Sequence, residues 1–207
     1  MSGEKNTYDV VIVDTGGANL ASLTYAFRRL NVDAHVSVDA ERIRTASHVV
    51  LPGVGAAGDA MDRLNQHRLI RVIVELTQPV LGICLGMHLL ARYSAEDETP
   101  CLGVLDCDVI RIPDSAGRVV PHMGWNETHP TTSMPLIGES RDTDFYYYVH
   151  SFAIVADTVP CAATFDYGDR YAAIVQQNNF FATQFHPERS AAVGQQLLKN
   201  FLSISAC

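Results

Sequence analysis

Between residues 8 and 94 the chain switches hydrophobic period again and again, and this alternation restricts its fold more than any other feature. "YDVVIVD" (8–14) is a short β-branched run and reads as a buried strand. "NLASLTYAFRRL" (19–30) puts Leu20, Leu23, Phe27 and Leu30 on one helical face. "DAHVSV" (33–38) and "SHVVLPG" (47–53) are strand candidates, the second stopped by Pro-Gly. "GDAMDRLNQHRLIRVIVELT" (58–77) has helical periodicity with a break expected near Asn65. "PVLGIC" (79–84) is strand-like and "LGMHLLARYS" (85–94) helical. Such alternation implies an α/β fold, a central, mostly parallel sheet with helices on both faces. After about residue 100 the pattern changes. "GVLDCDVIRI" (103–112), "YYYVHSFAIV" (146–155), "CAATFDY" (161–167), "YAAIVQQ" (171–177) and "FFATQFHP" (180–187) are expected to be antiparallel additions to that sheet in the C-terminal half. "SAAVGQQLLKNFLSI" (190–204) closes the chain as an amphipathic helix with Ser190 as its N-cap. The segment 113–144 is the least regular. Without a repeat or linker, residues 1–207 are expected to form a single domain.

Bulk properties exclude several functions. A chain of 207 residues can bury one sizeable core. Its formal charge of -8 argues against a nucleic-acid partner. No apolar run approaches the roughly 20 residues of a membrane helix, and the polar start "MSGEKNT" lacks the order of a secretion signal. Five cysteines (Cys84, Cys101, Cys107, Cys161 and Cys207) form no regular framework, which points to free thiols and a reducing, cytoplasmic setting. Cys101 and Cys107 lack metal-ligand spacing, so no metal site is expected. No residue calls for a cofactor, and the glycines of "DTGGANL" do not form a Walker-type loop.

The chemistry concentrates at Gly82-Ile83-Cys84-Leu85-Gly86. A nucleophile elbow is a strand, a sharp turn bearing the nucleophile, and a helix, with small residues flanking the turn. This segment has that form with cysteine in place of serine. The helix would leave the Leu85 amide free to meet a developing oxyanion. The alternative for Cys84 is a buried thiol packed as a small hydrophobe. A base decides between them. Of eight histidines, His186 follows the strand "FFATQF" and precedes Pro187 and Glu188. On extended chain an i, i+2 pair shares a side, so Glu188 can orient the imidazole. Taken alone, His186 would sooner be read as a turn histidine at a strand end.

With "GICLG" followed far downstream by "QFHPE", the chain resembles the class I, triad-type glutamine amidotransferases. "VDTGGANLASL", "LPGVGAAGDAM", "PHMGWN", "YYYVHSF" and "ATQFHPERS" narrow the likeness to the glutaminase subunits of imidazole glycerol phosphate synthase, over essentially the whole chain. The resemblance implies a flavodoxin-like fold, glutamine as substrate and a heterodimer with a (β/α)8-barrel synthase subunit that receives the ammonia. It implies Cys84 as nucleophile, His186 as base and Glu188 as orienter. Gly53 and Val54 fall where the family's oxyanion strand runs and, with Leu85, would form the oxyanion site and switch, a peptide flip there needing positive φ. Glu96 would hold the substrate α-amino group, its alternative being a solvated carboxylate beside Asp97 and Glu98. Backbone around His150, Ser151 and Phe152 would bind the amino-acid end. Trp125 is expected at the barrel-facing surface rather than in the core, and Tyr147 near the ammonia exit or in a covered strand.

One position departs from the family. His88 stands where glutamine is usual, one helical turn after the nucleophile and facing the substrate pocket. A neutral ring offers one donor and one acceptor, with shorter reach than glutamine. The substitution is expected to be tolerated, with glutamine affinity or its pH dependence open to change. The competing readings are a glutaminase feeding a different synthase, a catalytically weak docking subunit, and a stand-alone cysteine hydrolase.

Overall fold

The computed structural model of the chain describes residues 8–17, 20–115, 118–138 and 142–205. Residues 1–7, Ala18 and Asn19 of the "DTGGANL" segment, and Cys207 lie outside the described residues. Strand–helix alternation forms as expected in the first half. The elements are β1 (Val10–Val13), α1 (Leu20–Arg29), β2 (His35–Ser37), α2 (Ala40–Thr45), β3 (His48–Leu51), α3 (Ala57–Gln66), α4 (Leu69–Val74), β4 (Val80–Ile83) and α5 (Leu85–Leu90). The break expected near Asn65 falls at Arg68, whose backbone is left-handed at φ 56°. α2 was not anticipated. Its signal was Asp39, whose carboxylate caps the Arg42 amide at 2.7 Å.

The second half holds β5 (Tyr93–Ser94), β6 (Thr99–Pro100), β7 (Asp108–Arg111), β8 (His122–Pro130), β9 (Asp144–His150), β10 (Phe152–Ile154), β11 (Cys161–Tyr167), β12 (Asp169–Gln177), β13 (Phe180–Thr183) and α6 (Ala191–Leu202). Nine strands make one sheet in the order β2-β1-β3-β4-β13-β12-β11-β8-β9. The first five run parallel; β12, β11, β8 and β9 each pair antiparallel with the preceding strand of that order. A four-stranded sheet, β10-β7-β5-β6, stands apart from it.

Four expectations need correction. The segment 180–187, expected as an antiparallel addition, supplies β13, which runs parallel beside β4 and meets only β12 antiparallel, so it belongs to the parallel part of the sheet. The segment 103–112 supplies β7 of the small sheet and adds nothing to the central one. The helix read over 85–94 ends at Leu90, because the next backbone is drawn out by bonds from Arg92 N–H to the Cys107 carbonyl and from Ala95 N–H to the Val109 carbonyl. The run 146–155 is two strands in two sheets, with Ser151 at the corner between them. β8 also runs through the segment taken as irregular. Its residues alternate between half-buried or buried and exposed, and the polar ones mask the strand signal.

Alternating burial divides the core in two. Val10 and Ile12 pack with α1 and α6 on one face, through Leu23, Phe27, Leu198 and Phe201. Val11 and Val13 pack with α2, α3, α4 and α5 on the other, through Ile43, Leu64, Ile73 and Leu89. Period-2 strands between period-3.6 helices give this result directly. The tightest approach is between β3, β4 and α5. A Cβ on Gly86 would lie 2.1 Å from the Leu51 carbonyl oxygen, and one on Gly82 would lie 2.7 Å from the Gly86 carbonyl oxygen. An Ala in a helix is normally better than Gly by about 1 kcal/mol. Here the sign reverses. Gly86→Ala is expected to destabilise the fold by about 2–4 kcal/mol, as overpacking does in a rigid core. A urea unfolding curve reads this, and an unchanged or raised midpoint would show that the elbow can give way.

Candidate active site

β4 and β13 are parallel neighbours, so their C-terminal ends open on the same edge of the sheet. Thr183 pairs with Ile83, and the Cys84 amide donates to the Thr183 carbonyl at 2.7 Å. The residues that follow each strand, Cys84 and His186, therefore leave the sheet side by side. This is the crevice at the carboxyl ends of strands where open α/β sheets place their sites.

Cys84 has φ 48° and ψ −103°, a backbone that only a surrounding structure over-determining it would hold. The expected elbow is thus present, between β4 and the first residue of α5. Leu85 is that first residue, and the first amides of a helix have no partner within it. The buried-thiol alternative for Cys84 is half right: the side chain is 6% exposed and packs in the core, yet it also lines a cleft of about 220 Å³. The same cleft is lined by Gly53, Val54, Gly55, Leu85, His88, Glu96, His150, Ser151, Phe152 and His186, together with Val149, which the sequence had not assigned a place there.

His186 is buried, and its Nδ1 lies 2.8 Å from the Glu188 Oε1. The pair comes from a short 3-10 turn, Pro187–Arg189, that ends β13's extension. Burial disfavours charge on the ring, but the Cys84 sulfur and the Glu188 carboxylate outweigh it and raise the pKa to about 10. Nε2 is buried with no hydrogen-bond partner among the described residues. Ser190 does not cap α6 with its side chain. Instead its hydroxyl donates to the His186 carbonyl at 2.7 Å and accepts from the Tyr147 amide at 2.9 Å. The His186 amide in turn donates to the Tyr147 carbonyl at 2.9 Å. Ser190 and the Tyr147 backbone, unassigned in this role from sequence, thus tie the His186 turn to β9.

Gly53 is glycine for a different reason than the one expected. A Cβ there would lie 2.2 Å from the Ile83 carbonyl oxygen and 3.0 Å from the Cys84 Cβ, so close approach to the elbow requires it. The positive φ belongs to Gly55, at 122°. Glu96 is half-buried, and its Oε2 accepts the Ala57 amide at 3.0 Å. Burial raises its pKa, so it is no ordinary solvated carboxylate. Trp125 is 52% exposed and is not a core residue. It meets the Tyr147 ring edge-on at 6.2 Å, and Arg189 lies 4.5 Å over the other ring of that pair, Tyr147. Met123 and Phe145, on the same face of the β8–β9 ribbon, extend this exposed apolar surface.

Three further buried histidines sit in or behind the cleft. His150 Nδ1 lies 2.8 Å from the Phe152 carbonyl, so it donates there, and its Nε2 accepts from His122 Nδ1 at 3.0 Å. His122 Nε2 is then left as acceptor for the Asn126 amide at 3.3 Å. The chain of donors is consistent only with two neutral rings. Burial lowers both pKa values, His122 to about 4 and His150 well below the ordinary range. His88 Nε2 lies 2.9 Å from Gln184 Oε1, and burial lowers its pKa to about 4 despite that bond.

The profile of the class-I glutamine amidotransferase family matches residues 11–204. The chain is 47% identical to the imidazole glycerol phosphate synthase subunit HisH of Idiomarina loihiensis over 199 residues, 96% of this chain and 100% of that one. It is 45% identical to HisH of Xylella fastidiosa over 198 residues, 96% and 98% of the two chains. Among solved structures it is similar to a glutamine amidotransferase, with a TM-score of 0.72 at 20% identity over 94% of this chain and 97% of that one. PurLQS of Thermotoga maritima gives 0.71 at 17% identity, over 95% and 98%. These two show the fold.

The neutral histidines bear on stability. An unfolded histidine takes its proton near pH 6.5, whereas His88 in the folded chain resists until about 4. Between these values the unfolded state binds more protons, so this contribution is full above pH 6.5 and is lost as pH falls. The urea midpoint is expected to drop from pH 7.5 to 5. In His88→Gln, which cannot titrate, the drop should be smaller by about 2 kcal/mol. Equal drops in both proteins would mean that the folded ring takes up its proton as readily as the unfolded one.

The family match over nearly the whole chain and the full-length likeness to these relatives give one assignment: the chain belongs to the class-I glutamine amidotransferases, and within them to the imidazole glycerol phosphate synthase HisH subunits.

Proposed function

We propose that this chain, acting as a single domain, hydrolyses glutamine to glutamate and ammonia and passes the ammonia to a (β/α)8-barrel synthase subunit in histidine biosynthesis. The observation that carries the reading is Cys84 and the Glu188-bound His186 on one cleft wall. The Cys84 sulfur attacks the side-chain carboxamide carbon of glutamine as the thiolate, its proton already held by His186. The tetrahedral adduct collapses when His186 returns that proton to the leaving nitrogen. Ammonia departs and a γ-glutamyl thioester remains. Water, giving a proton to the now neutral His186, breaks the thioester to release glutamate and restore the thiolate beside the protonated ring. Glu188 holds the ring's orientation and supports its charged form.

The amide of Leu85 is one oxyanion donor, and the loop of Gly53 and Val54 runs along the same cleft wall. A peptide flip in that loop would switch the second donor on when partner and ligand bind. Glu96 receives the α-ammonium group, and backbone at His150, Ser151 and Phe152 receives the α-carboxylate end. His88 adds a neutral polar edge to the same wall.

The partner takes the ammonia and forms imidazole glycerol phosphate and aminoimidazole carboxamide ribotide. Trp125, exposed, and the half-buried Tyr147 beside it supply an aromatic surface for it, of the kind that anchors interfaces. No described helix is long and apolar enough to cross a membrane, and a cytoplasmic location is compatible with a biosynthetic role of this kind.

Glutamate release from glutamine is the direct test. The chain alone is expected to be nearly silent. The complex with the barrel subunit and its nucleotide substrate should be strongly active, and Cys84→Ala in that complex inactive. Silence of the wild-type complex, despite stable association, would rule out the glutaminase reading. Trp125→Ala is expected to weaken association with the barrel by about tenfold or more. Titration calorimetry measures this, and an unchanged affinity would move the interface elsewhere.

A further inference from the structure

The register that brings Cys84 beside Thr183 also brings Gln184 against the elbow. Gln184 is fully buried. Its Nε2 lies 3.7 Å from the Cys84 sulfur, an ordinary length for N–H donation to sulfur, and its Oε1 lies 2.9 Å from His88 Nε2. A carboxamide has the same shape either way round, so something must decide which end faces the sulfur. His88 is the group in contact with the other end. With its proton on Nε2 the ring can only donate, which fixes Oε1 toward His88 and leaves the NH2 group for the sulfur. With the proton on Nδ1 the amide would have to turn, and its carbonyl oxygen would face the sulfur and repel a thiolate. Nδ1 has no hydrogen-bond partner among the described residues, and the ring forms part of the cleft wall.

We propose that Gln184 is a catalytic residue that donates its side-chain N–H to the Cys84 thiolate, and that His88 is the positioning residue that keeps the amide turned that way. This rests on Cys84 being the nucleophile. It also gives His88 a physical function at the position where the family usually has glutamine. A glutamine there still carries a donor for the Gln184 oxygen, whereas an apolar residue does not. No atom is transferred: the amide keeps both protons and only stabilises negative charge on sulfur.

The test is the rate at which iodoacetamide alkylates Cys84 in the full chain, read by peptide mass spectrometry so that the other thiols are counted apart. Loss of a hydrogen bond to a charged group is worth about tenfold or more in rate at neutral pH. Gln184→Met is expected to show that loss and to shift the rate–pH profile toward alkaline pH. His88→Leu, which leaves Gln184 in place but frees its amide to turn, is expected to move both readouts the same way. His88→Gln should restore most of the rate lost in His88→Leu. Binding to the barrel subunit and the near-ultraviolet circular dichroism of each variant control for folding. Alkylation as fast as wild type in folded Gln184→Met, or in folded His88→Leu if the first variant does not fold, overturns the proposal. If the variants slow alkylation but the wild-type complex releases no glutamate, the donation to sulfur stands and the glutaminase reading falls.

Discussion

The parallel pairing of β4 with β13 is the constraint on which the site depends. Strands close in space but distant in sequence must share a direction and a register before Cys84 and His186 can emerge together. The bond from the Cys84 amide to the Thr183 carbonyl sets that register at the residue where the chemistry begins. A slip by one residue would turn Cys84 to the opposite face of the sheet. The same bond places Gln184 behind the sulfur, so one ladder supplies the nucleophile, its neighbouring donor and the strand that leads to the base.

Close packing then holds the strained turn. Cys84 sits in a backbone region that costs of the order of 1–3 kcal/mol for a non-glycine residue. Gly53, Gly82 and Gly86 let three segments approach the elbow at distances no side chain permits. On the base side, Ser190 and the Tyr147 backbone fasten the His186 turn to β9, and a Cβ on Gly194 of α6 would lie 2.0 Å from the Pro187 carbonyl oxygen. The nucleophile and the base are thus gripped by different elements, and the cleft lies between them. Electrostatics sorts the histidines around it. His186 beside a sulfur and a carboxylate keeps its proton, while His88, His122 and His150 are buried among neutral partners and stay uncharged.

Much of this was legible in the chain. The strand–helix alternation before residue 94 is written in residue periods, and the two-faced core follows from it. The elbow was legible because a tight turn tolerates only small neighbours, and Gly82 and Gly86 flank Cys84. His186 and Glu188 do pair, but a 3-10 turn over Pro187–Arg189, rather than the extended chain expected, brings them together. The second half was harder. β8 is a partly exposed ribbon in which polar residues interrupt the pattern, and the corner at Ser151 divides a run whose residues all have strand propensity. Whether β7 and β10 join the central sheet or form their own is a matter of pairing partners, on which local propensity is silent. Gln184 and Ser190 escaped for a similar reason: each acts through a contact with residues remote in sequence.

By itself, then, the sequence determined the local elements, the side of each strand that is buried and the residue types available for thiol chemistry, because these depend on neighbours a few positions apart. Only the tertiary structure decided that Cys84 and His186 share a cleft, that Gly53 is required by approach to the Ile83 carbonyl rather than by its own φ, and that His88 turns to Gln184 as a neutral ring. Those outcomes rest on register and close packing between segments up to about a hundred positions apart. Register and packing are properties of the assembled sheet, and no local run of residues carries them.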